Sequence, residues 1–259
     1  MDNLSLNESR IKELLKDCRI GNPLYFFDSV SSTFDKIKDF PRKEGLTVIA
    51  KTQTAGRGRL GRSWSSEEGG VYFSFNLTPD VSPEEATFVT VICALGTVKA
   101  LKKYGECFIK WPNDIVLNKK KICGILTTMG ASADKTDYVC VGIGINVNKD
   151  SFDSNLPHAS SVRLETGKLC DENEIVASVL KHTEEIYTSY TKERIIKEYT
   201  ENCITAGSMV TVHYTDGRGD FTGKCVGISQ SGSLVVQKDD ITVTVNSGEV
   251  SVRGLYGYV

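Results

Sequence analysis

The sequence predicts an α+β fold: a mixed β-sheet with flanking helices over residues 1–204, followed by a small β-barrel over 205–259. Three observations lead there. Helical and strand patterns follow one another irregularly, so the regular repeat of a doubly wound parallel sheet does not develop. The β-rich pieces between 107 and 148 are joined by short polar or turn-forming links, which suit hairpins. From about Thr205 onward, apolar residues alternate in short runs with no helical period.

Taken in order, "NLSLNESRIKELLKDCRI" has apolar residues at helical spacing and is expected to form one N-terminal helix. "PLYFFDSV" reads as a strand, and "SSTFDKIKDF" as a short helix with Ser32 and Asp35 placed like a capping box. "LTVIA" and "VYFSFNL" are strands on either side of a basic loop. "SPEEATFVTVICALGTVKALKKY" is expected to be one long buried helix, with Ser82 as N-cap, Pro83 at N1 and Glu85 at N3. "CFIKW", "DIVLN", "KKICGILTTMG" and "DYVCVGIGINVN" are further strands. "DENEIVASVLKHTEEIYTSYTKERIIKEYTEN" forms one or two amphipathic helices capped by Asp171. The last fifty or so residues carry short alternating strands and the turn pairs Asp216-Gly217 and Ser231-Gly232. A piece of that size is marginal alone and is expected to dock on the main domain.

Composition narrows the chemistry. A net charge of -2 over 259 residues argues against bulk nucleic-acid binding, so any polyanion site is local. No apolar run reaches membrane-span length, and the charged N-terminus does not resemble a signal peptide. The eight cysteines are scattered, several in apolar runs such as "VICAL", "KICGIL" and "DYVCVG", without CxxC spacing, and the three histidines stand apart from them, so no zinc site is indicated. Cysteines used as core hydrophobes fit a reducing, cytoplasmic setting.

Three loops carry residues that core packing does not explain. The first, "KTQTAGRGRLGRSW" (51–64), contains a G-x-G-x-x-G match. A dinucleotide fingerprint needs a helix directly after the glycines to hold the pyrophosphate. Here polar turn residues and another strand follow, so that reading fails. The glycines allow close backbone approach, and Arg57, Arg59 and Arg62 can grip phosphate or carboxylate, although a basic run can also be a solvated face. The second loop, "KWPNDIVLNKKKICGIL", places Lys110, Asn113 and Asp114 around a proline turn and Lys121 at the start of an apolar strand, three residues before Gly124. A lysine there needs a partner, unless Lys119 to Lys121 form a wet hairpin tip. The third is "VGIGINVN", where Asn146 can read an adenine edge or simply form a turn. Ser32 and Thr33 fit either a ligand or a helix cap. Two cationic loops and a polar strand end suit an anionic ligand with a nucleotide. With no catalytic triad or carboxylate pair in view, positioning and electrostatics would do the chemistry, as in nucleotidyl transfer.

"GRGRLGRSW", "KWPNDIVL", the "KxxGIL" from Lys121 to Leu126 and "GIGINVN" resemble, in order and spacing, the signature blocks of biotin protein ligases. "SGEVSVRG" is similar to that family's SH3-like C-terminal domain, and the resemblance runs from about residue 22 to the end. It implies a central sheet of the kind shared with lipoate ligases and class II aminoacyl-tRNA synthetases. It also implies a reaction. Biotin attacks the α-phosphate of ATP, with Mg2+ on the phosphates, to give biotinyl-AMP. The biotinyl group then passes to a lysine of a carboxylase's biotin-carrier domain.

By the same resemblance, Ser32, Thr33, Gln53, Gly56, Arg57, Gly58, Arg59, Lys121 and Gly124 would serve biotin, and Arg57, Arg62, Trp64, Lys110, Asn113 and Asn146 would serve ATP. Lys121, Arg59 and Asp114 would carry the catalysis, with Asp114 orienting either a cation or the incoming amine. Two departures stand out. The family commonly reads Ser-Thr-Asn at the first block, and here Phe34 takes the third place, where it either stacks on the ligand or packs. Ligase-repressors also carry a DNA-binding domain ahead of this block, where this sequence has about twenty residues. The expectation is therefore a monofunctional enzyme that binds neither DNA nor membrane and is monomeric or weakly dimeric. The competing readings are a lipoate ligase and a non-catalytic sensor of biotin or biotinyl-AMP.

Overall fold

The computed structural model describes residues 4–214, 217–247 and 250–254. Its main sheet holds β1 (Leu24–Val30), β2 (Thr47–Gln53), β3 (Gly70–Leu77), β4 (Cys107–Lys110), β5 (Asp114–Leu117), β6 (Lys120–Ser132) and β7 (Lys135–Asn146). They lie in the order β1-β2-β3-β7-β6-β5-β4. Only β1 and β2 run parallel; the other neighbours are antiparallel, and β4 to β7 follow one another as hairpins. The mixed sheet and its hairpins are those the sequence predicts. β3 is buried along its whole length, which is why its sequence is nearly all apolar.

The helices are α1 (Glu8–Leu14), α2 (Thr33–Lys36), α3 (Pro83–Ala86), α4 (Val89–Leu101), α5 (Val162–Thr166), α6 (Glu172–Ser189) and α7 (Lys192–Glu201). α4 is apolar nearly all round and is enclosed by the sheet, α6 and α7. α6 instead buries one stripe, including Ile175, Val179, Leu180, Thr183 and Ile186. The second sheet comprises β8 (Met209–Tyr214), β9 (Phe221–Ile228), β10 (Leu234–Lys238), β11 (Ile241–Val245) and β12 (Val250–Gly254). Its order is β11-β10-β9-β8-β12, antiparallel throughout. It is fastened to the main sheet at Trp111. There the backbone N–H donates to Thr205 Oγ1 at 3.1 Å and the indole N–H to the Gly232 carbonyl at 3.0 Å.

Several local expectations change. The N-terminal helix is only Glu8–Leu14, capped by the Asn7 side chain. Residues 4–7 spend their polar groups on the start of α6: the Leu4 carbonyl accepts from Glu172 N at 2.9 Å, and Asn7 N donates to Asn173 Oδ1 at 2.7 Å. The predicted long helix divides into α3 and α4 at a tighter turn, where Phe88 N bonds back only three residues, to the Glu85 carbonyl. Ser82 does cap α3 with Pro83 at N1. Ser32 precedes α2 but makes no side-chain cap bond, so the capping box with Asp35 does not form. α5, capped by Ser161, is not apparent in the sequence because five residues are too few to show a period. Of the two predicted C-terminal turns, Asp216-Gly217 lies partly outside the described residues.

Asp171 caps α6 as expected, accepting from Asn173 N and Glu174 N, and also pairs with Arg10 at 2.6 Å. It therefore ties the N-terminal segment to the helix enclosing the core. Asp171→Ala is expected to cost roughly 1–2 kcal/mol, lowering the thermal midpoint by roughly 2–6 °C. A midpoint equal to that of the wild type in a melting curve would show that the cap carries no such load.

Candidate active site

β7 supplies the floor of the site. Successive strand residues face opposite sides, so Gly142, Gly144 and Asn146 all line a cavity of about 630 Å³. Its walls come from the first turn of α2, the 54–64 loop, the β4–β5 turn with the start of β6, the 152–159 segment, and Val250 and Val252 of β12. Each predicted site residue lines this cavity except Gly56. That glycine sits at the neck of the loop, where a Cβ would lie 2.4 Å from the Trp64 carbonyl oxygen. Trp64 N donates to the Gly56 carbonyl at 2.9 Å, so Gly56 closes the neck of the loop.

Two of the loop arginines are held individually. Arg57 Nε lies 2.6 Å from Asp35 Oδ2. Arg59 donates through Nη1 to Asn113 Oδ1 at 3.1 Å and through Nη2 to the carbonyl of Ser247, which belongs to the C-terminal sheet's connecting loop. Burial lowers the Arg59 pKa, Asp114 opposes that shift and Arg62 adds to it. A guanidinium stays charged under such pressure. Lys110 Nζ donates to the Val252 carbonyl at 3.3 Å, a second main-chain contact from the C-terminal sheet.

Lys121 separates from its neighbours. Asn118 and Lys119, both with positive φ, turn the chain between β5 and β6, and Lys119 and Lys120 are exposed. These form the wet tip. Lys121 is half-buried, with Nζ 2.7 Å from Asp114 Oδ1 and 5.3 Å from the Trp64 ring centroid. Asn113 is fixed by its Nδ2 donating to the Ile125 carbonyl at 2.7 Å. Asn146 is buried at the strand end and donates to the Ser160 carbonyl at 3.0 Å. The Trp64 indole lies across Gly124 and Gly144, which face each other in register on β6 and β7; Cβ atoms there would come within 2.9 and 2.5 Å of the ring. Its Nε1 is buried without a hydrogen-bond partner among the described residues.

At the other end the lining is neutral. Ser32 is 1% exposed, and its hydroxyl, which makes no cap bond, has no partner among the described residues. Gln53 Oε1 accepts from Thr33 N at 2.7 Å and from Thr33 Oγ1 at 3.1 Å, while its Nε2 donates to Ser66 Oγ at 2.7 Å. Thr33 Oγ1 also lies 2.9 Å from Ser74 Oγ. The cavity thus has a cationic end and a neutral hydrogen-bonding end.

Residues 26–146 match the biotin/lipoate A/B protein ligase family, and 205–253 match the biotin protein ligase C-terminal domain. The bifunctional ligase/repressor BirA of Bacillus spizizenii is 33% identical over 258 residues, covering 95% of this chain and 79% of the relative. The chain belongs to the biotin protein ligase family. The biotin–[acetyl-CoA-carboxylase] ligase of Paracoccus denitrificans is 28% identical over 236 residues, covering 86% of this chain and 98% of that one. The structure of the Aquifex aeolicus biotin protein ligase in complex with biotin and ATP superposes with a TM-score of 0.76 at 32% identity, covering 89% of this chain and 98% of that chain.

The structure of this ligase also shows residues that the sequence does not single out. Lys149 is only 6% exposed; its Nζ donates to the Ser65 carbonyl at 3.0 Å and lies near the rings of Tyr72 and Phe152. Burial lowers its pKa. It ties the segment after β7 to the end of the arginine loop. Ser74, Gly142, Phe152, Val250 and Val252 join the lining through sheet register and domain docking, for which no short motif exists. The bare floor under Trp64 yields a test. Gly144→Ala would put a methyl where the indole lies and release the loop. Trypsin should then cleave after Arg57, Arg59 and Arg62 several-fold faster with little change in thermal midpoint. Unaltered cleavage would mean that the indole does not hold the loop down.

Proposed function

We propose that this ligase joins biotin to ATP, releasing pyrophosphate, and passes the biotinyl group from biotinyl-5'-AMP to a lysine of a carboxylase's biotin-carrier domain. The observation that carries the reading is the division of one cavity into a cationic and a neutral end. Arg59, Arg62, Lys110 and Lys121 line the first, where Asp114 is the one carboxylate among the described lining residues, while Arg57 is drawn to Asp35 of α2. Biotin has a carboxylate tail and a neutral bicyclic head, so charge alone orients it with the tail at the cations.

In the first step a carboxylate oxygen forms a bond to the α-phosphorus as the bond to pyrophosphate breaks. Two like unit charges 4 Å apart repel by about 4 kcal/mol at the effective dielectric of a half-buried site. Arg59 and Lys121 offset that repulsion and stabilise the charge that develops in the transition state. Asp114, paired with Lys121, orients the ammonium; the same carboxylate can later receive the incoming lysine amine. With one carboxylate in the lining, magnesium would be held chiefly by the triphosphate, where it shields phosphate charge. The carrier lysine then attacks the acyl carbon and AMP leaves.

Ser32, Thr33, Gln53, Gly58 and Gly124 are assigned to biotin, and Trp64, Asn113 and Asn146 to the nucleotide side. We assign the catalytic domain to 1–204 and the C-terminal domain to 205–259. The cytoplasm is the proposed location, in keeping with eight cysteines that are all free thiols. No helix among the described residues is long and apolar enough to cross a membrane.

Pyrophosphate release that depends on both biotin and ATP tests the reading. Transfer of lipoate alone would favour a lipoate ligase, and a folded, ATP-binding protein that releases no pyrophosphate would favour a sensor. Lys121→Met should lower the first step on the order of a hundredfold or more. Arg59→Gly removes the guanidinium that bridges the loop to Asn113 and Ser247, and should let biotinyl-AMP escape and label bystander lysines. Intermediate retained as in the wild type would count against that role.

A further inference from the structure

Phe34 is where this sequence leaves the pattern of its family, and the structure puts the substitution at the neutral end of the cavity. The residue is on the first turn of α2 and is 6% exposed. One side of it belongs to a second apolar cluster with Ile37, Leu46, Val48 and Cys140. The other side lines the cavity beside Thr33 and Ser74. Directly beneath it lies Gly142 of β7, where a Cβ would come 2.8 Å from Phe34 Cδ2. Gly142 is in register with Ser74 of β3 and Leu126 of β6. The ring therefore overhangs a stretch of floor that has no side chain of its own.

Along β7, cavity-facing positions recur every second residue, about 6.6 Å apart. Phe34 stands over Gly142, and Trp64 stands over Gly144. The chain thus uses two aromatic rings over two bare positions: one at the neutral end, the other close to the cations. A substrate oriented by its carboxylate puts its ring system beside Phe34. The asparagine usual in the family would set a carboxamide against Ile37, Leu46 and Val48, whereas phenylalanine fills that space with a rigid apolar edge.

We propose that Phe34 and Gly142 together form the slot that sets the size of ring system this enzyme accepts, which makes Phe34 a specificity-determining residue for the acyl substrate. The proposal rests on the biotin-activating reading above. The slot is a difference between substrates, and it does not require Phe34 to supply rate. In an apolar pocket one methyl group too many changes kcat/KM on the order of 10–100-fold.

The test measures biotin-dependent ATP–pyrophosphate exchange for the wild type, Phe34→Leu, Phe34→Ala, Gly142→Ala and the double variant Phe34→Leu/Gly142→Ala. The substrates are biotin, its sulfone, and biotin methylated on either ureido nitrogen. In Phe34→Ala and, less strongly, Phe34→Leu, kcat/KM for at least one enlarged analogue relative to biotin should rise about tenfold. Gly142→Ala should raise KM for biotin, and the double variant should recover most of that loss. Analogue-to-biotin ratios that stay within about twofold of wild type in both Phe34 variants, while biotin is still used, would overturn the proposal; a residue that only supports the fold lowers every substrate alike. If Phe34→Ala does not fold, Phe34→Leu and the double variant decide the matter on the same ratios. A wild-type enzyme without biotin-dependent exchange would instead overturn the functional reading itself.

Discussion

Holding like charges together costs free energy, and the cavity holds five cationic side chains around one carboxylate. Four of them are secured by named contacts. Arg57 is paired with Asp35 of α2, Arg59 with Asn113 and the Ser247 carbonyl, Lys110 with the Val252 carbonyl, and Lys121 with Asp114. Four of the anchors are thus a helix, a strand turn and two stretches of the C-terminal sheet's main chain. The mixed sheet and the docked C-terminal sheet are both needed to keep the cluster assembled without substrate. Two anions, a carboxylate and a triphosphate, relieve the same repulsion that the fold otherwise withstands.

The floor complements this arrangement. Charges placed on long side chains need a rigid surface against which a ligand can be pressed, and the centre of a seven-stranded sheet is such a surface. Glycine at 124, 142 and 144 keeps it flat, so the aromatic rings of Trp64 and Phe34 can come close. Lys149, held by Ser65, draws the two loops at the rim toward each other from beneath.

Much of this was legible in the sequence because the residues sit in compact blocks. The arginine loop, the proline turn and the β7 end each have an anomalous composition, and the sheet brings them together as their order implied. Gly56 and Ser32 could each be read in two ways. A loop glycine looks like a ligand contact but here closes the loop neck, and a serine at a helix start looks like a cap but here keeps its hydroxyl unspent. The lining from Ser74, Gly142, Val250 and Val252 was hidden because strand register and docking of a distant sheet create it. Lys149 was hidden because its burial among Tyr72 and Phe152 is a property of the packed core alone.

The C-terminal sheet reaches the cations through carbonyl oxygens, those of Ser247 and Val252. Every residue type carries the same carbonyl, so this contact depends on the path of the chain and hardly on its spelling. Over generations the side chain of Ser247 is free to drift while the contact endures, whereas Val252 is held besides by its place in the core. Insertions or deletions between β11 and β12 are not, since they would carry the carbonyl away from Arg59. Selection here would therefore record itself as a fixed loop length, a trace that residue-by-residue comparison overlooks.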